Sequence, residues 1–329
     1  MRLPKSFKAV LATDPITRTG GVVDLDIDDL SKRDLLVKVE YSSINYKDGL
    51  AFFGDEKIVK THPLVLGVDL AGEVIASSCH EFKPGDKVVA MGHGLGEKYF
   101  GGLAEFASID AAWAFPLPNE MSTYEAMVYG TAGITAQLCV DSLLNHGIKT
   151  DGLPIAVSGG TGGVGSVAIA LLNSLGYNVT AISRKTTQDS FLKKLGATDV
   201  IGNNIAESSK SILLKRRFQA AVDTVGGRLL ADIIRSVNDY GAVACCGNVA
   251  GSQLDVSLMP FILRGISLLG VESINTPKEI RENAFRKLKA NIKSDIVSLI
   301  GKPIELKEIA TYASMIVKGE VSGRIVVKL

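Results

Sequence analysis

The chain has 329 residues, 46% of them hydrophobic and 22% charged, the makeup of an ordinary globular protein of about two domains. A formal charge of +1, from 36 Lys and Arg against 35 Asp and Glu, argues against a dedicated nucleic-acid binder, and nothing suggests disorder or a fibre. Glycine is the one excess, with 34 residues.

The N-terminus, MRLPKSFKAVLAT, has no long apolar core and no small-residue cleavage site, which predicts no secretory signal and a cytoplasmic protein. Residues 152–183 carry no charge and are long enough for a membrane span. They also hold Pro154 and the glycines 159, 160, 162, 163 and 165, so a buried strand, a turn and a buried helix fit better than a bilayer. Cys79, Cys139, Cys245 and Cys246 form no C-x-x-C pair and read as small buried hydrophobes in a reducing compartment.

The first 120 or so residues read as β-rich. Apolar runs at 7–11, 35–39, 64–68, 87–91 and 103–109 are separated by turn signals such as Lys83-Pro84-Gly85-Asp86. This spacing predicts an irregular antiparallel barrel. Near Pro118 the pattern changes. Ser122 and Glu125 form a capping-box pair, and a helix is expected over 131–146, closed by Gly147. Strands are then expected at 154–158, 178–183, 200–201, 220–224 and 242–246. Helices are expected at 163–175, 187–195 and 229–237. That alternation predicts a doubly wound parallel sheet. A charged helix over 277–292, another over 306–318 and a last strand at 324–329 complete the chain. The expected division is 1–121 with 277–329 in one α/β half rich in strands, and 122–276 in the other.

The string 155–166, IAVSGGTGGVGS, holds Gly160-x-Gly162-x-x-Gly165 after a predicted strand and at the start of a predicted helix. The first glycine permits the tight turn, the second lets backbone approach a pyrophosphate, and the third lets helix and strand pack closely. The helix N-terminus then offers free N–H groups to phosphate. The next strand ends in Ser183-Arg184-Lys185 with no acid, so a 2′-phosphate fits better there than a free ribose hydroxyl. NADPH is the expected cofactor. The alternative is that Arg184 and Lys185 are solvated loop charges.

Taken with SSINYKD (42–48), GGLAE (101–105), GTAG (130–133), LGA (195–197), VDTVG (222–226) and MPFILR (259–264), the chain resembles the medium-chain dehydrogenase/reductase superfamily over nearly its whole length. Within the zinc-independent quinone oxidoreductase branch it is similar to the acrylyl-CoA reductase group, also described as YhdH-type. The resemblance implies a GroES-like catalytic domain, a Rossmann domain and a homodimer. It implies an enzyme that reduces the C=C bond of a short 2-enoyl-CoA with NADPH. Alternatives are a general quinone or enone oxidoreductase, or an NADPH-binding protein without catalysis.

Zinc members of the superfamily carry a Cys after an early strand and a Gly-His-Glu further on. Here Asn45 and Gly67-Val68-Asp69 stand instead, which implies a metal-free site. His93, between two glycines, reads as a loop histidine. By resemblance, cofactor contacts fall at Tyr46, Gly160, Thr161, Gly162, Gly163, Val164, Ser183, Arg184, Lys185, Asn203, Asn248, Ile262, Ser273 and Lys318. The family pattern has Gly before Arg at the second strand's end, and Arg184-Lys185 departs from it. Tyr46 is the expected residue beside the nicotinamide; a packed aromatic is the alternative. Related thioester reductases place a Tyr where this chain has Glu56, so proton delivery from solvent stays open. Arg264 and Arg324 are candidates for the CoA phosphates, with structural ion pairs as the alternative. The apolar run 266–271, unbroken by charge, reads as a sheet edge that a second copy covers.

Overall fold

The structure is a computed structural model, described for residues 3–13, 20–55, 57–207 and 209–329. In chain order these form β1 (Ser6–Ala12), β2 (Gly20–Asp26), β3 (Leu35–Ile44), α1 (Tyr46–Phe52), β4 (Leu64–Val65), β5 (Asp69–Ser77), β6 (Lys87–Met91), β7 (Phe106–Ile109) and β8 (Ala114–Pro116). Next come α2 (Thr123–Asn145), β9 (Ile155–Ser158), α3 (Gly163–Ser174), β10 (Val179–Ile182), α4 (Asp189–Lys194), β11 (Asp199–Ile201), β12 (Phe218–Asp223), α5 (Gly227–Ser236), β13 (Val237–Cys245), α6 (Met259–Arg264) and β14 (Ser267–Gly270). The chain continues through α7 (Lys278–Asn291), α8 (Ser294–Ile300), β15 (Gly301–Glu305), α9 (Ile309–Val317) and β16 (Arg324–Lys328).

Two compact units result. One is Met1–Thr131 with Ser273–Arg286 and Val297–Leu329; the other is Ala132–Glu272 with Lys287–Ile296. The first break falls inside α2, where Gly130 takes φ 47° and ψ −151° and interrupts the helix. Residues up to Thr131 therefore stay with the first unit, ten residues beyond the boundary expected at 121/122.

The first unit holds a three-stranded sheet, β2-β1-β4, and a seven-stranded sheet, β15-β16-β3-β5-β6-β8 with β7 on β3. β3 is the organising strand. One edge pairs with β5; the other takes β7 at residues 35–38 and β16 at residues 41–44. The strands of the first 120 residues pair antiparallel throughout, as expected, whereas β15 and β16, from the end of the chain, run parallel. Helix α1 caps one apolar cluster. Its Ala51 and Phe52 pack with Ile309 and Ala313 of α9 and with Ile44, Leu66 and Ile325.

The second unit is a single six-stranded sheet in the order β11-β10-β9-β12-β13-β14, every pair parallel. Counting from β9 this is the doubly wound order 3-2-1-4-5-6. β9 and β10 are buried at every residue, as strands covered on both faces must be. Leu229, Leu230, Ile233 and Ile234 give α5 its apolar face against Val243 and Phe218.

Several expectations shift at the ends. Within 64–68 the strand covers Leu64–Val65, and within 103–109 it covers Phe106–Ile109, with Ala104 bridging Ala9. Ser122 and Glu125 do form the expected reciprocal cap, Ser122 N–H to Glu125 at 2.9 Å and Glu125 N–H to Ser122 Oγ at 3.1 Å. Uncharged residues 152–183 form strand, turn, helix and strand. Among the described residues no helix is long and apolar enough to cross a membrane.

Candidate functional site

In the second unit the chain leaves β9 through a glycine turn. Gly159 takes φ 61°, and Gly162 N–H donates to Gly159 O at 2.8 Å. A Cβ on Gly165 would lie 2.4 Å from Gly159 O, so only glycine lets α3 start this close to the strand. A Cβ on Gly162 would meet only Gly159 O at 3.3 Å, leaving that backbone approachable from outside. Gly162 caps α3 without a side chain, so the first-turn amides of Gly163 and Val164 remain available. Thr161 is buried beside them. This cradle fits a pyrophosphate.

The other expected contacts in this unit follow from topology. In a parallel sheet every strand's C-terminal end lies on one edge. Loop 159–162 after β9, Ser183–Lys185 after β10, Asn203 after β11 and Asn248 after β13 share that edge. Ser183 is buried, and its Oγ accepts from Lys185 N–H at 3.0 Å. Arg184 is exposed, and no carboxylate stands at this strand end. Asn203 is half-buried and Asn248 exposed. Ile262 stands apart. It lies on α6, whose Arg264 donates to Val237 O at the start of β13, the opposite end of the strand. Ile262 has 65% of its surface exposed on this helix.

In the first unit, Asn45 caps α1 and Tyr46 is its first residue, 40% exposed. Directly behind them is a buried polar cluster. Asp69 accepts from Ser43 Oγ at 2.5 Å, Asn45 Nδ2 at 2.8 Å and Thr131 Oγ1 at 2.5 Å. Arg324 donates to Asn45 Oδ1 at 2.9 Å and Ser43 Oγ at 2.6 Å, and lies 3.5 Å from Asp69. It also donates to Val128 O at 3.2 Å. Asp48 accepts from Asn45 N–H at 2.8 Å, Asn45 Nδ2 at 3.1 Å and Val68 N–H at 3.0 Å. Burial, reinforced by the Asp69 charge, pushes the Asp48 carboxyl up to about 7 against these donors. A Cβ on Gly130 would sit 2.5 Å from Asp69 Oδ2, which is why the chain turns there on glycine.

The sequence singled out Asn45 and Asp69 as replacements for zinc ligands. It missed the partners that absorb them, Ser43, Asp48 and Thr131. The signal was present, since Ser43, Asn45 and Asp48 lie in one quoted string and Thr131 in another. Arg324, a candidate for CoA phosphate, is 3% exposed and committed to this cluster. Arg264 is likewise buried, donating to Leu214 O at 2.6 Å and to Arg235 O and Val237 O at 2.9 Å. Both are structural, because a guanidinium with all its donors directed inward cannot reach a solvated phosphate. Val68, where zinc enzymes have His, is buried and apolar. His93 takes φ 52°, stacks on Trp113 and bonds to the buried Arg281, as a loop histidine. Among the described residues no group of three or more His, Cys, Asp or Glu could hold a metal ion. Ser273, half-buried, and Lys318, exposed, lie in this first unit. Glu56 lies outside the described residues.

Comparisons with known proteins bear on both units. The family model of the alcohol dehydrogenase GroES-like domain matches residues 31–119, and that of the zinc-binding dehydrogenase matches residues 163–290. The probable acrylyl-CoA reductase AcuI of Escherichia coli is 40% identical over 94% of this chain and 95% of its own. The putative quinone oxidoreductase YhfP of Bacillus subtilis is 39% identical over 94% of both chains. A solved structure of yhfP with NAD bound has a TM-score of 0.95 at 38% identity, covering 99% of this chain and 100% of its own. The yhdH oxidoreductase of Salmonella enterica, solved in complex with NADP, has a TM-score of 0.95 at 37% identity and covers 98% of this chain and 99% of its own. With a strand-rich unit of GroES-like type, a doubly wound unit opening on a glycine cradle, and such relatives along nearly all its length, the chain is an oxidoreductase and belongs to the medium-chain dehydrogenase/reductase superfamily, in the group of AcuI, YhdH and YhfP.

Proposed function

We propose that the protein reduces the C=C bond of a short 2-enoyl-CoA with NADPH, with acrylyl-CoA to propanoyl-CoA as the first choice. The observation that carries this reading is the strand end Ser183-Arg184-Lys185, which has cations and a hydroxyl but no acid, beside a glycine cradle shaped for pyrophosphate. The acrylyl-CoA reductase relative supplies the substrate class.

The amides of Gly163 and Val164, with Thr161, would hold the pyrophosphate, and Gly160 and Gly162 would let the backbone approach it. Ser183, Arg184 and Lys185 would hold the 2′-phosphate, and Asn203 and Asn248 would contact the nucleoside halves. From the first unit we assign Tyr46, Ser273 and Lys318 to the same cofactor. NADPH, when bound, supplies a hydride for the β-carbon. The substrate's thioester carbonyl takes the developing charge, so no Lewis acid is required. Asn45, whose side-chain oxygen and nitrogen are both committed to Arg324 and Asp69, fixes the start of α1 and thereby the backbone of Tyr46. The Tyr46 phenol is then available to orient the ring or the substrate, and water is an equal candidate for the proton at Cα.

The domain roles follow: residues 122–276 chiefly bind cofactor, and 1–121 with 277–329 chiefly bind substrate. We also propose a homodimer. β14 pairs only with β13, at the end of the sheet order, and exposes Leu268; α6 beside it exposes Ile262 and Leu263. An apolar edge of this kind is covered in stable proteins. The four free cysteines support a reducing, cytoplasmic setting.

A second reading, a general quinone or enone reductase, is favoured by the name of YhfP, and its NAD-bound structure weighs against strict NADP choice. NADPH and NADH oxidation, measured with acrylyl-CoA, crotonyl-CoA and a soluble quinone side by side, separates the two readings. A quinone turned over more efficiently than either thioester would overturn the first reading.

A further inference from the structure

The two central strands of the doubly wound sheet, β9 and β12, send their connections in opposite directions, which opens a crevice at their C-terminal ends. At the end of β12, wholly buried, is Asp223. Among the described residues its partners are a hydroxyl and backbone amides, none of them a cation. Ser158 Oγ donates to Asp223 Oδ1 at 2.6 Å, and Gly226 N–H donates to Oδ2 at 2.8 Å. Ser158 Oγ accepts in turn from Thr224 N–H at 2.9 Å, and Thr224 Oγ1 donates to Ser158 O at 2.9 Å. The third loop joins the same centre. Cys246 N–H donates to Asp223 O at 3.0 Å, and Ala250 N–H to Val225 O at 2.8 Å.

Such a centre is costly. A carboxylate taken out of water without a cation loses several kcal/mol of solvation, and burial raises the Asp223 carboxyl above its usual range. An apolar side chain would continue the β12 pattern of Ala220, Ala221 and Val222 at no such cost. What the carboxylate adds is a fixed spacing between loops. Ser158 immediately precedes the glycine turn, and a Cβ on Gly159 would sit 2.3 Å from Thr224 Oγ1. Gly247 is as close to the hub, with a Cβ there 2.1 Å from Thr224 O. The loops after β9, β12 and β13 are therefore in contact, and one side chain ties the first two.

We propose that Asp223 is the positioning residue of the dinucleotide crevice: by holding Ser158 and Gly226 it sets the glycine cradle and the Asn248 loop at the spacing that a whole dinucleotide requires. The inference rests on the reading of the glycine cradle as an NADPH site. It predicts an uneven effect on ligands. The 2′-phosphate end, at Ser183–Lys185, hangs from β10 and not from this hub. The nicotinamide end depends on the loops that the hub joins.

The test is a fluorescence titration of Asp223→Asn, Ser158→Ala and Ser158→Thr with NADPH, and a competition titration with 2′-AMP, which carries the 2′-phosphate but no phosphate for the cradle, each beside a melting curve. Loss of one or two buried hydrogen bonds predicts a Kd for NADPH raised about tenfold or more in Asp223→Asn and Ser158→Ala. The Kd for 2′-AMP should stay within roughly twofold, the difference being the mark of lost loop spacing and not of general loosening. Ser158→Thr, which keeps the hydroxyl, should bind both ligands as the parent does. Wild-type NADPH affinity in Asp223→Asn and Ser158→Ala overturns the proposal. So does equal weakening of both ligands, because that is what a merely destabilised unit would show. If Asp223→Asn fails to fold, the two Ser158 variants decide alone. Failure of the unsubstituted protein to bind NADPH overturns the preceding functional reading, and this inference with it.

Discussion

The Arg324 guanidinium lies 3.5 Å from the Asp69 carboxylate, both side chains almost fully enclosed. They come from β16 and the start of β5, so the pair joins two ends of the first unit's sequence. Removing one member leaves the other buried and uncompensated. Arg324→Met is expected to destabilise the protein by about 3–5 kcal/mol. Urea unfolding checks this, and a midpoint equal to that of the parent would show the pair to be dispensable.

The Asp48 carboxyl rises from 3.8 to about 7 through burial, with the Asp69 charge adding to it. Below about pH 4 both folded and unfolded chains hold the proton. Between 4 and 7 the unfolded chain releases it while the folded chain keeps it. Stability from this group therefore falls as pH rises through that window, and above 7 the loss is complete, on the order of a few kcal/mol. Asp48→Asn has no proton to exchange. Its unfolding free energy should vary less between pH 4.5 and 7.5 than that of the parent; equal slopes in the two proteins would refute the assignment.

Cofactor choice should follow the β10 strand end. Neutralising Arg184 and Lys185 together is expected to raise the KM for NADPH by roughly tenfold or more, since hydrogen bonds to charged groups are worth about 1.5–3 kcal/mol each. The KM for NADH should change little. Initial rates over both cofactors measure the split. Equal efficiency with the two cofactors in the parent would refute the preference for NADPH.

Activity is expected to survive exhaustive chelation. Asn45 is held by Arg324 and Asp69, and Val68 is apolar, so neither offers a free ligand atom. Elemental analysis and rates before and after chelator treatment check this. Stoichiometric zinc whose removal abolishes turnover is the contrary result.

The edge strand makes an assembly prediction. Light scattering should give a dimer at micromolar concentration, and Leu268→Lys, which puts a charge on the exposed β14 edge, should shift it to monomer. A monomeric parent would remove the basis for it.

The doubly wound unit was legible because its signals are local. β9 and α3 are bounded by a glycine turn, and each strand is a short apolar run. β6 is legible in the same way, over Lys87–Met91. The first unit resisted. α1 was hidden because Tyr46–Phe52 is short and opens within a string that also reads as strand. β5 was hidden because Glu73 and Gly72 break its alternation. The polar cluster was illegible as a cluster. Its members are spread from Ser43 to Arg324, and only the pairing of β16 with β3 brings the last of them in. Arg264 and Arg324 looked like phosphate ligands because sequence shows charge but not the direction of a guanidinium.

The pairing of β16 with β15, parallel, and with β3, antiparallel, has a consequence for the order of assembly during synthesis. The second unit is nearly complete when Glu272 has left the ribosome. The first, although it begins earlier, waits for Arg324. Until then one edge of β3 is open over residues 41–44, and two acidic side chains, Asp48 and Asp69, stand close together without their cation. The later part of the chain is thus expected to fold before the earlier part, and truncation ahead of β16 should leave a protease-resistant fragment from the second unit attached to a cleavable first one.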